Sequence, residues 1–294
     1  MRAAMFAHLG GLAAGHPDGL HSVDINRFEV DGMPVRLVVQ PGIRKPRFLD
    51  AALTIRTTYT QPGQLPPYED ALGRDGFVRY KYRGLDPLHP DNRALRQAMQ
   101  RELPLAYFVG IAPGIYHPQF PVFIIGEDRA SHEFVVAMDE TQRLIGVEPA
   151  GTSTDARRGY VERLTRQRLH QPVFRARVLR AYRTQCSMCQ LRHADLLDAA
   201  HILPDGHPRG LPVVPNGLAM CKIHHAAYDR NILGVRPDLR VEVRADILRE
   251  IDGPMLRHGL QEMNGRTLTI PSARSSRPDP ASLDERYELF RLAG

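Results

Sequence analysis

Residues 1 to about 140 alternate short apolar runs with turn signals. The runs 35–39 (VRLVV), 77–82 (FVRYKY), 105–109 (LAYFV) and 120–125 (FPVFII) are rich in β-branched and aromatic side chains. Such side chains pack on a pleated surface, so the runs predict strands. Asp31-Gly32, Pro41-Gly42, Asp75-Gly76 and Pro113-Gly114 punctuate them as turns. One helix is predicted here: Asp91 can cap the run 92–102, and Pro104 stands just past its end. Residues 1–150 thus read as a β-rich domain.

Residues 151–154 (GTST) open a linker, after which the texture becomes helical and basic over 156–170. Pro172 predicts a second helix that starts at its first position and runs to about residue 182. On this pattern 151–177 is a basic helical linker, 178–250 a second domain and 251–294 a tail. Within the tail, 266–283 is rich in Pro, Ser and Arg and reads as loose, and a short helix covers 283–292. No internal repeat is present.

Composition narrows the class. A chain with 43% hydrophobic and 24% charged residues is globular. No apolar run is long enough to span a bilayer. The opening apolar stretch is broken by His8 and by Gly10-Gly11, which argues against a secretory leader and for a cytoplasmic protein. The formal charge of +6 favours polyanionic partners. However, 36 of the 39 basic residues are arginine, a skew that genome composition alone can produce, so charge does not decide the partner.

The cysteines change the picture more. Three thiols, Cys186, Cys189 and Cys221, are an odd number and fall in the histidine-rich part of the chain. That pattern argues for a metal and against a disulfide framework. Cys186 and Cys189 form one pair with two residues between; Cys221 and His224 form a second. Three thiolates and an imidazole complete a tetrahedral structural zinc site, with no position left for a reacting water.

Between and after these pairs stand Asp198-Ala-Ala-His201, then Asn216, then His224-His225 and Asp229. This His–Asn–His order, interleaved with zinc ligands, resembles the HNH (ββα-metal) endonuclease family over roughly 60 residues. Residues 171–182 also resemble the lead-in helix of restriction-type members. The resemblance implies a phosphodiester hydrolase in which His201, at a strand end, is the general base. Asn216, in the hairpin loop, orients that imidazole. His225, on the helix, holds a divalent ion, Mg²⁺, Mn²⁺ or another. Adjacent helical residues point about 100° apart, so His224 can face the zinc while His225 faces the catalytic ion. Many family members carry a second ligand directly before the catalytic histidine, where this chain has Ala200; Asp198 or Asp229 can complete the site, and the sequence does not choose between them.

The first domain resembles the SRA domain, a PUA-like β-fold that flips a modified cytosine out of DNA. The likeness rests on Pro67-Tyr68-Glu69-Asp70, on 78–84 (VRYKYRG), on 91–95 and on 104–110 (PLAYFVG), with Ala71 standing where the family has a second acidic residue. It implies that Tyr68 and Tyr82 stack on the flipped base and that Asp70 bonds its polar edge. The bland alternative is that Tyr80, Tyr82, Tyr107 and Phe108 are core aromatics. Arg44, Lys45 and Arg47 form a compact basic loop suited to phosphates.

The expectation is an α+β protein: an SRA/PUA-like β-barrel followed by a zinc-stapled HNH domain. Its partner is double-stranded DNA carrying 5-methylcytosine or 5-hydroxymethylcytosine. A homodimer is compatible, because one HNH centre cuts one strand. The rivals are an HNH nicking or homing-type nuclease reading unmodified DNA, and a non-catalytic zinc DNA-binding module.

Overall fold

The computed structural model describes residues 1–59, 72–146 and 155–293 and divides into two compact units, Met1–Val173 and Phe174–Gly294. No helix among the described residues is long and apolar enough to cross a membrane.

The first unit runs α1 (Arg2–Gly15), β1 (Leu20–His21), α2 (Ser22–Ile25), β2 (Glu29–Val30), β3 (Met33–Pro34), β4 (Ile43–Arg44), β5 (Thr54–Thr57) and β6 (Val78–Lys81). It continues with α3 (Pro90–Gln100), β7 (Leu105–Ala112), β8 (Ile115–Asp128), β9 (Glu133–Ala137), α4 (Glu140–Gly146) and α5 (Asp155–Thr165). One sheet has the order β4-β5-β7-β8-β9-β6, with β1 added to β8. Its β5–β7 pair is parallel and the other pairs are antiparallel.

The long strand β8 explains the sheet's shape. Residues up to Val122 pair with β7, and those from Phe123 pair with β9, with register shifts inside both ladders. Such irregularities bend a strand and increase its twist, so the sheet curls into a half-barrel. The Tyr80 hydroxyl on β6 reaches the Arg56 carbonyl on β5 at 3.1 Å, bridging two parts of the curl. Among the described residues no strand pairing closes β6 onto β4. What is present is an open curled sheet, short of the closed SRA/PUA-like barrel expected.

Two departures have local causes. Residues 35–39 form no strand although Val35, Leu37 and Val38 are buried. The amide of Asn26 takes the place of a strand partner, accepting from Leu37 and Val38 N–H at 2.8 and 2.9 Å and donating to the Val38 carbonyl at 3.0 Å. The N-terminal residues form α1, a helix the strand-oriented reading missed. Met5 and Leu9 recur one turn apart and are fully buried against Leu20, Ile25, Phe28 and Phe108.

The basic segment after the linker is not a free connector. Thr165 Oγ1 donates to the Gly76 carbonyl at 2.9 Å, and the Gln142 amide donates to the Val161 carbonyl and to Thr165. Gly76 has φ +83°, and a side chain there would meet the α5 backbone at 2.8 Å, so α5 docks because residue 76 has none. Pro172 does not restart a helix either. The run from Asp155 to the end of α6 (Gln171–Ala181) is unbroken, passing through a π-turn at Arg166–His170. The wider turn accommodates the missing proline N–H.

The second unit takes the C-terminal part of α6 and continues through β10 (Leu197–His201), β11 (Gly217–Cys221), α7 (Lys222–Asp229), β12 (Leu233–Val235) and β13 (Val241–Val243). It ends with α8 (Ala245–Arg249), α9 (Pro254–Gly259) and α10 (Pro280–Ala293). β10 and β11 form an antiparallel hairpin in which Leu197 faces Cys221 and His201 faces Gly217. Leu179, Leu197, Leu218, Met220 and Leu283 are fully buried in one core. Each such side chain contributes about 1.5–3 kcal/mol by leaving water. The segment expected to be loose is tied down: Leu268 N–H donates to the Leu239 carbonyl at 2.9 Å, and Thr269 N–H to the Ser187 carbonyl at 2.8 Å.

Candidate nuclease and zinc centres

The hairpin β10–β11 followed by α7 brings the chemistry-bearing residues together. Cys186, Cys189, Cys221 and His224 place their ligand atoms within 4.8 Å of one another, and among the described residues they are the metal-competent cluster. His224 Nδ1 lies 3.5 Å from Cys186 Sγ and 3.2 Å from Cys221 Sγ. Its Nε2 lies 2.8 Å from the Gly259 carbonyl, an acceptor, so the ring proton belongs on Nε2 and the Nδ1 lone pair faces the thiols. A backbone carbonyl behind a histidine is the support that metal-ligating imidazoles use. The Cys221 N–H also donates to Cys186 Sγ at 3.3 Å. Without a cation these groups hold protons in common: burial pulls His224 down, but hydrogen bonds to Cys186 and Cys221 and their charge raise it to about 10. Buried sulfur donors with an oriented imidazole fit zinc, which replaces those protons.

His201 ends β10 and packs under α6. Phe174 stacks on its ring with centroids 4.1 Å apart and planes 22° off parallel. Gly217, its partner across the hairpin, has room for no side chain: a Cβ there would come within 2.5 Å of Val178 and 2.9 Å of Phe174. Nε2 of His201 is buried with no hydrogen-bond partner among the described residues. Burial lowers its pKa, with His225 adding to the effect and Asp205 and Asp229 opposing it. The imidazole is therefore neutral at pH 7, with an uncommitted nitrogen.

The Asn216 side chain goes elsewhere than the sequence implied. Its Oδ1 accepts from Leu203 N–H at 2.9 Å, and its Nδ2 donates to the Leu203 and Leu211 carbonyls at 3.0 and 3.1 Å. The Ile202 N–H donates to its backbone carbonyl at 2.9 Å. Asn216 thus latches the loop after His201, so any orienting effect on the imidazole passes through the backbone.

His225 stands between the two aspartates that the sequence left open. Its Nδ1 is 3.6 Å from Asp198 and its Nε2 is 3.3 Å from Asp229. The two carboxylates face different ring nitrogens, so they do not converge on one point. Asp198 is already engaged, 2.6 Å from Lys222 Nζ and 3.4 Å from Arg175. Burial raises its pKa, but Lys222, His225 and Arg175 outweigh that and hold it below the usual value. One imidazole and one carboxylate, with water and phosphate oxygens for the rest, suit a hard divalent cation. Lys222 and Arg175 were not singled out from sequence. The signal was present in Lys222, a lysine at the first helical position beside Cys221 in a chain of arginines. Ala200, at the missing ligand position, is fully buried in the core.

In the first unit a cavity of about 130 Å³ lies among 40–43, 56–58 and 80–83. Arg56, Tyr80, Lys81 and Tyr82 line it. Tyr82 is largely core: its ring packs on Phe134 at 4.9 Å and its hydroxyl donates to Glu127. Arg96 clamps Glu127 from the other side, at 2.8 Å through Nε, and holds its pKa down to about 2. Arg44 spends Nε on the Arg36 carbonyl and Lys45 spends its ammonium on the Leu49 carbonyl, whereas Arg47 is exposed. Tyr68 and Asp70 lie outside the described residues.

The ββα unit thus combines a zinc-competent staple, a histidine at the strand end and a histidine–aspartate pair on the helix. The HNH endonuclease family matches residues 186–236, so this stretch is an HNH endonuclease domain and the chain is a nuclease. No curated protein matches the chain. Among solved structures, a modification-dependent TagI restriction endonuclease is 16% identical, with 94% of this chain and 93% of that one covered and a TM-score of 0.31. A type IV phosphorothioation-dependent restriction endonuclease, ScoMcrA, is 13% identical, with 84% and 53% covered and a TM-score of 0.24.

Proposed function

We propose that this nuclease is a modification-dependent restriction enzyme. Its HNH domain cuts double-stranded DNA, and its first unit admits a flipped cytosine bearing a 5-methyl or 5-hydroxymethyl group. The observation that carries the cutting role is His201: a neutral, half-buried imidazole whose Nε2 has no protein partner. In this reading Nε2 takes the proton from the attacking water, and Phe174 and the Asn216 latch keep the ring in place. His225 and Asp229 would hold a divalent ion, since Asp198 is committed to Lys222 and Arg175 and since Asp229 also acts on His201. Such an ion, when bound, supplies charge that stabilises the leaving oxygen. Cys186, Cys189, Cys221 and His224 would hold zinc purely to fold the hairpin against α7.

The reading role rests on the cavity lined by Tyr80, Lys81 and Tyr82, aromatic and basic residues of the kind that receive a flipped base. Tyr68 and Asp70 remain part of this proposal by resemblance. Because one HNH centre cuts one strand, a duplex break calls for two copies acting together.

The test is cleavage of matched plasmids, unmodified, methylated, hydroxymethylated or phosphorothioated, with Mg²⁺ or Mn²⁺. Cutting confined to the two cytosine-modified plasmids supports the whole reading. Equal cutting of all four retains the nuclease and replaces the reader with one of unmodified sequence or DNA shape.

A further inference from the structure

We propose that the C-terminal helix α10 braces the nuclease site through the adjacent residues Glu285 and Arg286. Arg286 would fix the end of α7 that carries Asp229, and Glu285 the loop that follows His201. The inference rests on reading His225 and Asp229 as the holders of a divalent ion.

Arg286 is a buried cation, 9% exposed, whose hydrogen bonds to Tyr228 and Asn231 go to neutral oxygens, not to a carboxylate. A buried charge of that kind is costly unless something else meets it. Here the negative end of α7 does. The guanidinium donates to the Tyr228 carbonyl at 2.6 Å and to Asn231 Oδ1 at 2.5 Å, and lies 4.6 Å from the centre of the Tyr228 ring. The Tyr228 carbonyl also accepts from the Asn231 N–H at 3.1 Å, so the guanidinium adds a charged donor to the turn that closes α7, where the carbonyls carry partial negative charge.

That final turn matters because His225 and Asp229 are one turn apart, and their 3.3 Å contact exists only while the turn is wound. Asp229 is 60% exposed and has no other ion-pair partner among the described residues, so its backbone, more than its neighbours, keeps it beside His225. Glu285 works on the other arm of the site. It pairs with His207 Nε2 at 3.0 Å and with Arg209, both in the loop between His201 and Asn216. The Asp279 N–H holds the far end of that loop, donating to the Pro215 carbonyl at 3.0 Å. The helix is anchored independently of this pair: Leu283 is fully buried, Phe290 fills the space where Gly234 has no side chain, and the Tyr287 hydroxyl donates to Glu242 at 2.6 Å. The bracing residues themselves, Asp279, Glu285 and Arg286, lie beyond residue 236, where the family match ends.

The experiment uses the full chain with its zinc and reads three quantities: zinc content with melting temperature, Mn²⁺ binding without DNA by loss of the free-ion paramagnetic resonance signal, and cleavage against Mn²⁺ concentration. Arg286→Gln is expected to keep its zinc, to bind Mn²⁺ about tenfold more weakly, and to need correspondingly more Mn²⁺ for half-maximal cutting. Arg286→Lys, which keeps the charge but cannot reach both acceptors, should recover part of that loss. Glu285→Gln should slow cutting at saturating Mn²⁺ with Mn²⁺ affinity unchanged. A folded Arg286→Gln with Mn²⁺ binding and cutting within about twofold of the parent would overturn the proposal. Should Arg286→Gln not fold, Asn231→Ala, which removes one acceptor, takes its place under the same criterion. His225→Ala separates the two levels: if it too binds Mn²⁺ and cuts like the parent, the ion site was misread and the brace has nothing to hold.

Discussion

Phe174 and His201 stack face to face, with ring centroids 4.1 Å apart. The apolar ring removes water from one side of the imidazole, and burial is the main reason its pKa falls. Phe174→Ala opens that face and leaves a cavity. The expected outcome is a higher His201 pKa together with a stability loss of about 3–5 kcal/mol. The acid limb of the cleavage profile and a urea titration check the two effects separately.

The same shift sets the pH dependence of the parent enzyme. A base must be neutral to accept a proton, and a lowered pKa keeps His201 neutral below the ordinary imidazole value of 6.5. Activity should hold as pH drops through 6.5 and fall only at the lower folded-state pKa. Stability has the same sign: the unfolded state takes up the proton first, so the contribution is complete above 6.5 and lost as pH falls through the folded value. An acid limb centred above 6.5 would contradict this.

Removing His201 should abolish cutting while leaving DNA affinity within a few fold, since it takes away the proton acceptor and no phosphate contact. His225→Ala should be equally inactive, through the ion. Near-normal turnover of His201→Ala, measured in single-turnover cleavage, would place the active site elsewhere.

Asn216→Ala should act differently from an orienting partner of the imidazole. It removes three side-chain hydrogen bonds to the Leu203 and Leu211 backbone and strands buried polar groups. Each stranded group costs about 1–3 kcal/mol, so stability and cleavage should drop together. Loss of activity at unchanged melting temperature would restore the direct orienting role.

The protein should carry one tightly held zinc per chain. Cys186→Ser or Cys221→Ser should unfold the second unit, because ligand binding contributes folding energy directly. Acid should release the metal, since protons compete for the thiolates. Metal analysis showing no zinc in well-folded protein would reject the assignment.

In the first unit, an inactive His201→Ala background allows DNA binding to be measured without cutting. Tyr80 and Tyr82 substitutions should weaken binding to modified duplex selectively, by about 1–3 kcal/mol if stacking follows the usual scale. Arg47→Ala should weaken modified and unmodified duplexes alike and flatten the salt dependence. Unchanged binding by the tyrosine variants would leave them as core aromatics and favour a reader of unmodified DNA.

Much of the second unit was legible in the chain itself. Cysteine and histidine spacing specifies ligand geometry locally: two residues between ligands make a turn, and adjacent residues on a helix point in different directions. The pairs at 186–189 and 221–224 and the order His201, Asn216, His225 could therefore be read without a fold. The glycine turns of the first unit were legible for the same reason, since a left-handed backbone conformation is a property of one residue. Tertiary structure alone decided where side chains spend their hydrogen bonds. Asn26 stands in for a strand beside 35–39, Asn216 latches a loop instead of an imidazole, and His225 meets Asp198 and Asp229 on opposite ring edges. It also decided that α5 docks on Gly76 and that α10 caps α7, contacts between residues far apart in sequence. Spacing encodes what neighbours in the chain can do together; the satisfaction of buried polar groups depends on partners that only the packed molecule supplies.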